Sequence, residues 1–420
     1  MAEQNGDIIA CHECDRLHWQ QPIAVGAQAS CRNCGAVLYR ELPHSLDRAL
    51  ACYLSALLLF VIANTFPFIA LEFGGRQEES RLISAGLALY QQGMGELGLL
   101  VFLTSIVFPF VTILGMLYLL IPVRMGRIPP AIGPIFRVVH HCLPWSLLGV
   151  FLLGALVAVV KLQAMANVVP GVALFAFVGT MLAFAGARAS FDPRALWAVS
   201  TVQQLDPAVV RTGTALVSCH VCGLLRTRDA GLHDCPRCGS ALHHRKANSI
   251  QRTWALVIAA SVLFIPANVY PIMEVIQFGQ GEPDTIVSGI TKLMASGLWG
   301  LGLIVLFVSI VVPVAKLASL AWLLHSVQQG HGNRRRDRTR LYRVTEVVGS
   351  WSMLDVFLVG LLSGLVTLDV LATVRPGIGA TFFAGVVILT MLAAASFDPR
   401  LIWDAPDGSE DASSAGGLPA

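Results

Sequence analysis

The pentapeptide Ser190-Phe191-Asp192-Pro193-Arg194 returns unchanged as Ser396-Phe397-Asp398-Pro399-Arg400, 206 positions later. Other stretches repeat at nearly the same distance. Ala63-Asn64-Thr65-Phe66-Pro67 matches Ala267-Asn268-Val269-Tyr270-Pro271, Ser105-Ile106-Val107 with Pro109 matches Ser309-Ile310-Val311 with Pro313, and Trp145-Ser146 matches Trp351-Ser352. Upstream of each series lie two Cys-x-x-Cys pairs, Cys11/Cys14 with Cys31/Cys34 and Cys219/Cys222 with Cys235/Cys238. Self-similarity at a fixed period marks a duplicated structural unit. The chain therefore reads as two tandem modules, each a cysteine knuckle followed by a long apolar region.

Those apolar regions set the fold class. Of the 420 residues 55% are hydrophobic and 13% charged, against about 45–50% and 25% in soluble domains, so an ordinary cytosolic enzyme is excluded. About 20 apolar residues in a helix cross a bilayer, and eight such stretches occur: Ala49–Leu71, Leu97–Ile121, Trp145–Met165 and Val172–Ala189, then Trp254–Ile276, Leu298–Leu324, Trp351–Val374 and Ile378–Ala395. The first begins behind a polar cysteine segment, so no cleavable signal peptide is expected. Positive residues in short connections stay on the cytoplasmic side. With the N-terminus inside, 23 Lys and Arg fall inside, four outside and two within spans, which places both termini in the cytoplasm. The net charge of +3 hides this split and gives no bulk field for nucleic acid.

The expected class is an all-α polytopic membrane protein of two modules, each a small four-cysteine zinc ribbon followed by a four-helix transmembrane bundle. The segments are 1–45 (first ribbon), 46–194 (first membrane module), 195–248 (linker and second ribbon), 249–403 (second membrane module) and 404–420, an acidic Ser- and Gly-rich tail expected to be disordered. Because four spans is an even number, the repeats are parallel and both ribbons share one side of the membrane.

Four thiolates carried on two Cys-x-x-Cys turns converge tetrahedrally on Zn²⁺. The pairs are separated by 16 residues in the first knuckle and 12 in the second, and Gly35, Gly223 and Gly239 follow second cysteines where a tight turn favours a left-handed residue. Disulfides are disfavoured in a reducing compartment. A rubredoxin-like iron site uses the same ligands and is the rival, but nothing else in the chain supports electron transfer, so two structural zinc sites are the preferred reading. Cys52 and Cys142, at span starts, read as small apolar residues.

Ionisable residues inside spans are costly and point to function. Lys316 lies in span six and Asp355 near the start of span seven, and the two are placed to meet as an ion pair or a proton-linked couple. The first module has Thr112 and Gly149 there, so the modules are not equivalent. Lys161, deeper in span three, corresponds to Thr367; a snorkelling side chain is its alternative reading, as for Lys316. Asn64 and Asn268 precede a proline by three residues and read first as helix ends, second as a substrate-facing break. The repeated Ser-Phe-Asp-Pro-Arg reads first as a helix stop with its arginine at the cytoplasmic headgroups, and its exact repetition points second to packing against the knuckle. The run from Arg334 to Arg343 reads as an anchor to anionic lipid. No histidine pair is placed for a haem at membrane depth, and no Walker sequence for ATP occurs.

The duplicated knuckle-plus-four-span unit, the Asn-x-x-Pro of each first span, Trp351-Ser352-Met353-Leu354-Asp355-Val356-Phe357 and the paired Ser-Phe-Asp-Pro-Arg resemble the paraquat-inducible protein A family over roughly residues 8 to 404. The resemblance implies a non-enzymatic inner-membrane partner of a periplasmic MCE-domain tunnel protein, moving phospholipid or other lipophilic molecules between inner and outer membranes. It also implies cytoplasmic zinc ribbons and a lipid-accessible cavity among the spans. Gly149, in place of the acid that the second module carries as Asp355, argues against a symmetrical mechanism. The competing classes are a membrane redox protein with iron centres and a passive assembly scaffold.

Overall fold

The computed structural model describes residues 7–73, 76–163, 167–202, 205, 216–227, 233–277, 280–330, 334–365 and 372–404. Among them, eight helices are long and apolar enough to cross a membrane: Ser45–Thr65, Gly95–Arg124, Ile132–Val160, Val172–Ser190, Ser249–Val269, Trp299–Gln328, Arg335–Ser363 and Ile378–Ser396. The protein is thus a multi-pass membrane protein of two like modules, each preceded by a four-cysteine cluster.

The first ribbon consists of hairpins β1 (Ile8–Ala10) with β2 (Leu17–Trp19) and β3 (Gln28–Ser30) with β4 (Val37–Arg40). Span α1 (Ser45–Thr65) follows. It ends where sequence hydropathy alone would have carried it on to Leu71, because Pro67 has no amide to continue the helix and the chain turns extended at Phe66. The apolar run continues as a strand instead. Strands β5 (Ile69–Phe73), β6 (Arg76–Ser80) and, from the other end of the module, β7 (Asn167–Pro170) form a sheet ordered β6-β5-β7. Phe68 and Ile69 are buried there, which keeps the segment as apolar as the helix before it.

Between these strands run α2 (Leu82–Gln91), α3 (Gly95–Phe102), a π-helical turn at Leu103–Val107, and α4 (Phe108–Arg124). The turn falls on the repeated Ser-Ile-Val before Pro109, whose missing amide leaves a carbonyl of the preceding turn without its donor. Next come the amphipathic α5 (Ile132–Cys142), α6 (Leu148–Gln163), α7 (Val172–Ser190) and the short α8 (Pro193–Trp197). Span α1 packs along α7, with Tyr53 edge-on to Phe184 at 6.2 Å.

The second half repeats this plan: β8 (Leu216–Ser218) and β9 (Leu225–Thr227) in the ribbon, α9 (Ser249–Val269), β10 (Met273–Gln277), β11 (Gln280–Asp284), α10 (Ile286–Ala295), α11 (Trp299–Leu306), a π-turn at Phe307–Val311, α12 (Val312–Gln328), α13 (Arg335–Gly349), α14 (Leu354–Leu365), β12 (Ala372–Pro376) and α15 (Ile378–Ser396). Its outer sheet is ordered β11-β10-β12. Met273 and Val374, expected near the ends of helical spans, therefore lie in strands.

The modules meet along α6 and α14, which cross with Phe151 and Phe357 edge-to-face at 5.3 Å. Gly154 permits this approach, since a Cβ there would come within 3.2 Å of Phe357 Cβ. Helix α14 also packs against α2 and α3 of the first module.

Candidate functional site

The cysteines form two clusters in which one sulfur from each residue lies within 4.8 Å of the others. Cys11 and Cys34 sulfurs are 3.4 Å apart, Cys14 and Cys31 3.5 Å, Cys219 and Cys238 3.5 Å, Cys222 and Cys235 3.6 Å. Sulfurs arranged tetrahedrally at Zn–S distances of about 2.3 Å lie about 3.8 Å apart, so both groups fit a metal ion without rearrangement. Each Cys-x-x-Cys turn closes with an amide donating to the first cysteine's carbonyl, from Asp15, Gly35, Gly223 and Gly239. All four have positive φ. Asp15 is the one non-glycine, and its carboxylate has a second use described below. Further polar contacts differ: His18 Nε2 lies 3.2 Å from Cys31 Sγ, whereas Ser240 Oγ approaches Cys219 and Cys238 at 3.1 and 3.0 Å.

Each ribbon is tied to its own module by the repeated pentapeptide. Arg194 chelates Asp192, donates to the Arg40 carbonyl at 2.7 Å and stacks on Tyr39. Arg400 does the same with Asp398 and donates to His220 Nε2 at 2.6 Å. Burial disfavours the charge on Asp398, but the Arg400 guanidinium and the amides of Lys246 and Arg400 outweigh it and hold the carboxyl at about 2.

Each ribbon also docks on the opposite module. Arg343 of α13 donates to both carboxylate oxygens of Glu13 and to the Cys34 carbonyl, Arg336 holds the Arg32 and Asn33 carbonyls, and Trp403 packs against the first cysteine cluster. In return, Arg137 of α5 donates to the Gly239 carbonyl at 2.9 Å, and Gly133 lies against the backbone of Cys238. Arg245 bridges Asp15 and Asp404, locking ribbon to ribbon. None of these partners is near in sequence; the one available signal was Asp15 standing where the other three turns have glycine.

Around the π-turns, the polar groups of the first module are hydrogen-bonded and their second-module counterparts are not. Thr104, Ser105 and Thr112 donate to carbonyls of the preceding turn, and Ser146 Oγ lies 3.3 Å from Thr112 Oγ1. The matching second-module atoms Ser309 Oγ, Lys316 Nζ and Ser352 Oγ are buried without a hydrogen-bond partner, as are Asp355 Oδ2 and Ser363 Oγ. Lys316 and Asp355 do not pair, contrary to the sequence expectation. Asp355 shares a cavity with Ser309, and Lys316 lies seven residues further along that helix, about 10 Å by helical rise, beside Gly349 at the end of α13. The two therefore face different ends of the span.

The cavity at Asp355 measures about 50 Å³ and reaches Ile272, Met273 and Asp284 of the outer segment. On the opposite face of the same helix, Leu303, Ile304, Phe307 and Val311 line an apolar crevice of about 750 Å³ that is open to the surroundings and flanked by Leu153 of the first module and by Trp351. Asn64 and Asn268 donate to their own helices, to the Phe60 and Phe264 carbonyls at 2.8 Å, which is the helix-end arrangement. Lys161 lies in the last turn of α6, and Thr367 lies outside the described residues.

The chain matches the family described as Paraquat-inducible protein A over residues 46–201 and again over 250–407. It is 33% identical to the Intermembrane transport protein PqiA of Escherichia coli (strain K12) over 96% of this chain and 97% of that protein. It is 31% identical to the Lipophilic envelope-spanning tunnel protein A of the same organism, covering 95% and 92%, and 28% identical to a Probable intermembrane transport protein of Haemophilus influenzae, covering 94% and 95%. No solved structure matches. The chain belongs to the paraquat-inducible protein A family.

Proposed function

We propose that this family member is a transport subunit, not an enzyme, that passes phospholipid or another lipophilic molecule between the two membranes of a Gram-negative envelope. The observation that carries the reading is the apolar crevice between the modules. Its volume of about 750 Å³ falls in the range of ligand sites, roughly 300–1,000 Å³, and its walls are side chains that suit acyl chains. Behind it, across one helix, stand Ser309 and Asp355 with unpartnered oxygens. Buried polar groups left in this state lose roughly 1–3 kcal/mol each, a cost that a function explains. A lipid enters laterally with its tails in the crevice, and the small cavity at Ser309 and Asp355, otherwise mostly apolar, takes a water or a proton.

In this reading the chain lies in the inner membrane with both termini in the cytoplasm, supported by the asymmetry of Lys and Arg. The outer sheets β6-β5-β7 and β11-β10-β12 seat a periplasmic MCE-domain partner. The ribbons, 1–45 and within 195–248, hold zinc through Cys11, Cys14, Cys31 and Cys34 and through Cys219, Cys222, Cys235 and Cys238; bound metal neutralises the thiolates and fixes the ribbon fold. The membrane modules run over 46–194 and 249–403. Lys316, Asp355 and Thr367 serve the transport path, with Lys161 on the first-module side.

Mass spectrometry of lipid bound to the purified protein, with a lipid-transfer assay, tests the crevice. Filling it by Leu303→Trp is expected to lower bound lipid and transfer, while Leu99→Trp at the matching first-module position leaves both near wild type. Equal lipid in wild type and Leu303→Trp would remove the observation on which the reading stands.

A further inference from the structure

The joint between a ribbon and the opposite module is built twice, and the two copies differ in charge. At the first ribbon Arg343 is neutralised by Glu13, with contacts of 2.7 and 2.9 Å to its two oxygens, and the Trp403 indole donates to Thr339 Oγ1 at 3.2 Å. At the second ribbon the counterpart of Arg343 is Arg137, but Val221 stands where the acid would be and a further arginine, Arg237, replaces Asn33. Arg237 lies over the Trp197 ring at 5.5 Å. Each arginine has a single carbonyl acceptor, Gly239 for Arg137 and Val202 for Arg237, and the Nε of both is buried without a partner. Trp197, the counterpart of Trp403, is 4% exposed and its Nε1 is also unpartnered.

Trp197 and Arg237 line an open chamber of about 1,110 Å³ between the two ribbons, with Arg188 at the cytoplasmic end of α7 on the same wall. The acids in that chamber are Asp192, held by Arg194, Asp15, held by Arg245, and Asp7 on the first ribbon. Arg237 and Trp197 line the chamber and Arg137 stands at the same joint on the Gly239 carbonyl, so two guanidinium groups and an indole, each with an unpartnered N–H, gather there. Arginine forks match the oxygens of phosphate in number and geometry.

We propose that the joint between the second ribbon and the first module is a binding site for a phosphate-class anion, held by Arg137, Arg237 and the Trp197 indole N–H. Its position at the membrane surface makes a lipid phosphate and a free cytoplasmic phosphate the two sources. The full-length, metal-loaded chain in phosphatidylcholine nanodiscs is titrated with inorganic phosphate against chloride at matched ionic strength, and separately reconstituted with phosphatidylglycerol, while thermal unfolding is followed. Stabilisation by inorganic phosphate identifies a free anion; stabilisation by phosphatidylglycerol alone identifies a head group. Arg137→Gln with Arg237→Gln is expected to weaken the response at least about tenfold. Val221→Glu, which supplies the acid present at the first joint, is expected to raise the midpoint without added anion and abolish the response. No response to either probe, or an undiminished one in the double variant, overturns the site.

Discussion

The two modules share a plan down to the π-turn before Pro109 and Pro313, yet they keep their polar residues in opposite states. In the first, Ser105, Thr112 and Ser146 are all hydrogen-bonded, and Gly149 brings no charge. In the second, Ser309, Lys316, Ser352 and Asp355 are buried with unsatisfied atoms, and Ser309 and Asp355 face a small cavity. The module ends that carry the pentapeptides show a different imbalance: the Arg400 and Asp398 side chains are 3% and 1% exposed, whereas those of Arg194 and Asp192 retain 29% and 16%. Duplication gave one scaffold two fates, with the first module kept as a satisfied support and the second departing from local satisfaction where transport chemistry is proposed.

The comparison is broken most readily at the pentapeptides. Asp398→Asn removes the nearer of the two carboxylates at buried Arg400, leaving Asp15 at 3.7 Å, and is expected to cost about 3 kcal/mol, while Asp192→Asn, at a partly solvated pair, costs roughly 1 kcal/mol or less; paired thermal unfolding curves measure the difference, and equal losses would refute the contrast. Acidification gives a smaller effect. The Asp398 pKa is lower folded than unfolded, so its contribution is complete above the unfolded value near 4 and disappears as pH falls through about 2. The loss amounts to about 2 kcal/mol and should be absent in Asp398→Asn, read by denaturation at stepped pH. The smallest effect sharpens the membrane contrast. Ser105→Ala removes a bonded hydroxyl and costs about 1 kcal/mol, whereas Ser309→Ala removes an unsatisfied one and is expected to be neutral or stabilising. Should Ser309→Ala destabilise more than Ser105→Ala, the second module is satisfied after all.

Much of this was legible in sequence because it is local. Twenty apolar residues announce a span wherever they fall, and Cys-x-x-Cys brings its own turn. The outer sheets were not, since Ile69 and Met273 continue the apolar run of the preceding helix and only Pro67 and Pro271 mark the change. The Lys316–Asp355 pairing failed on axial distance, which span boundaries good to a few residues do not resolve. Crosswise ribbon docking was invisible for a different reason: Arg343 and Glu13 are 330 residues apart, and neither carries a local pattern that names the other.

That crosswise docking has a consequence in time. During synthesis the second ribbon emerges after α5, so its seat on the first module already exists. The first ribbon meets Arg194 of its own module earlier, but its seat on the second module does not exist until α13 has been made, some 300 residues later. At about 5–20 residues per second this is a wait on the order of 15–60 s, during which the first cysteine cluster lacks its contacts to the second module. Until Arg343 arrives, the first ribbon must hold its shape through its own four cysteines and the Arg194 contacts to Arg40 and Tyr39.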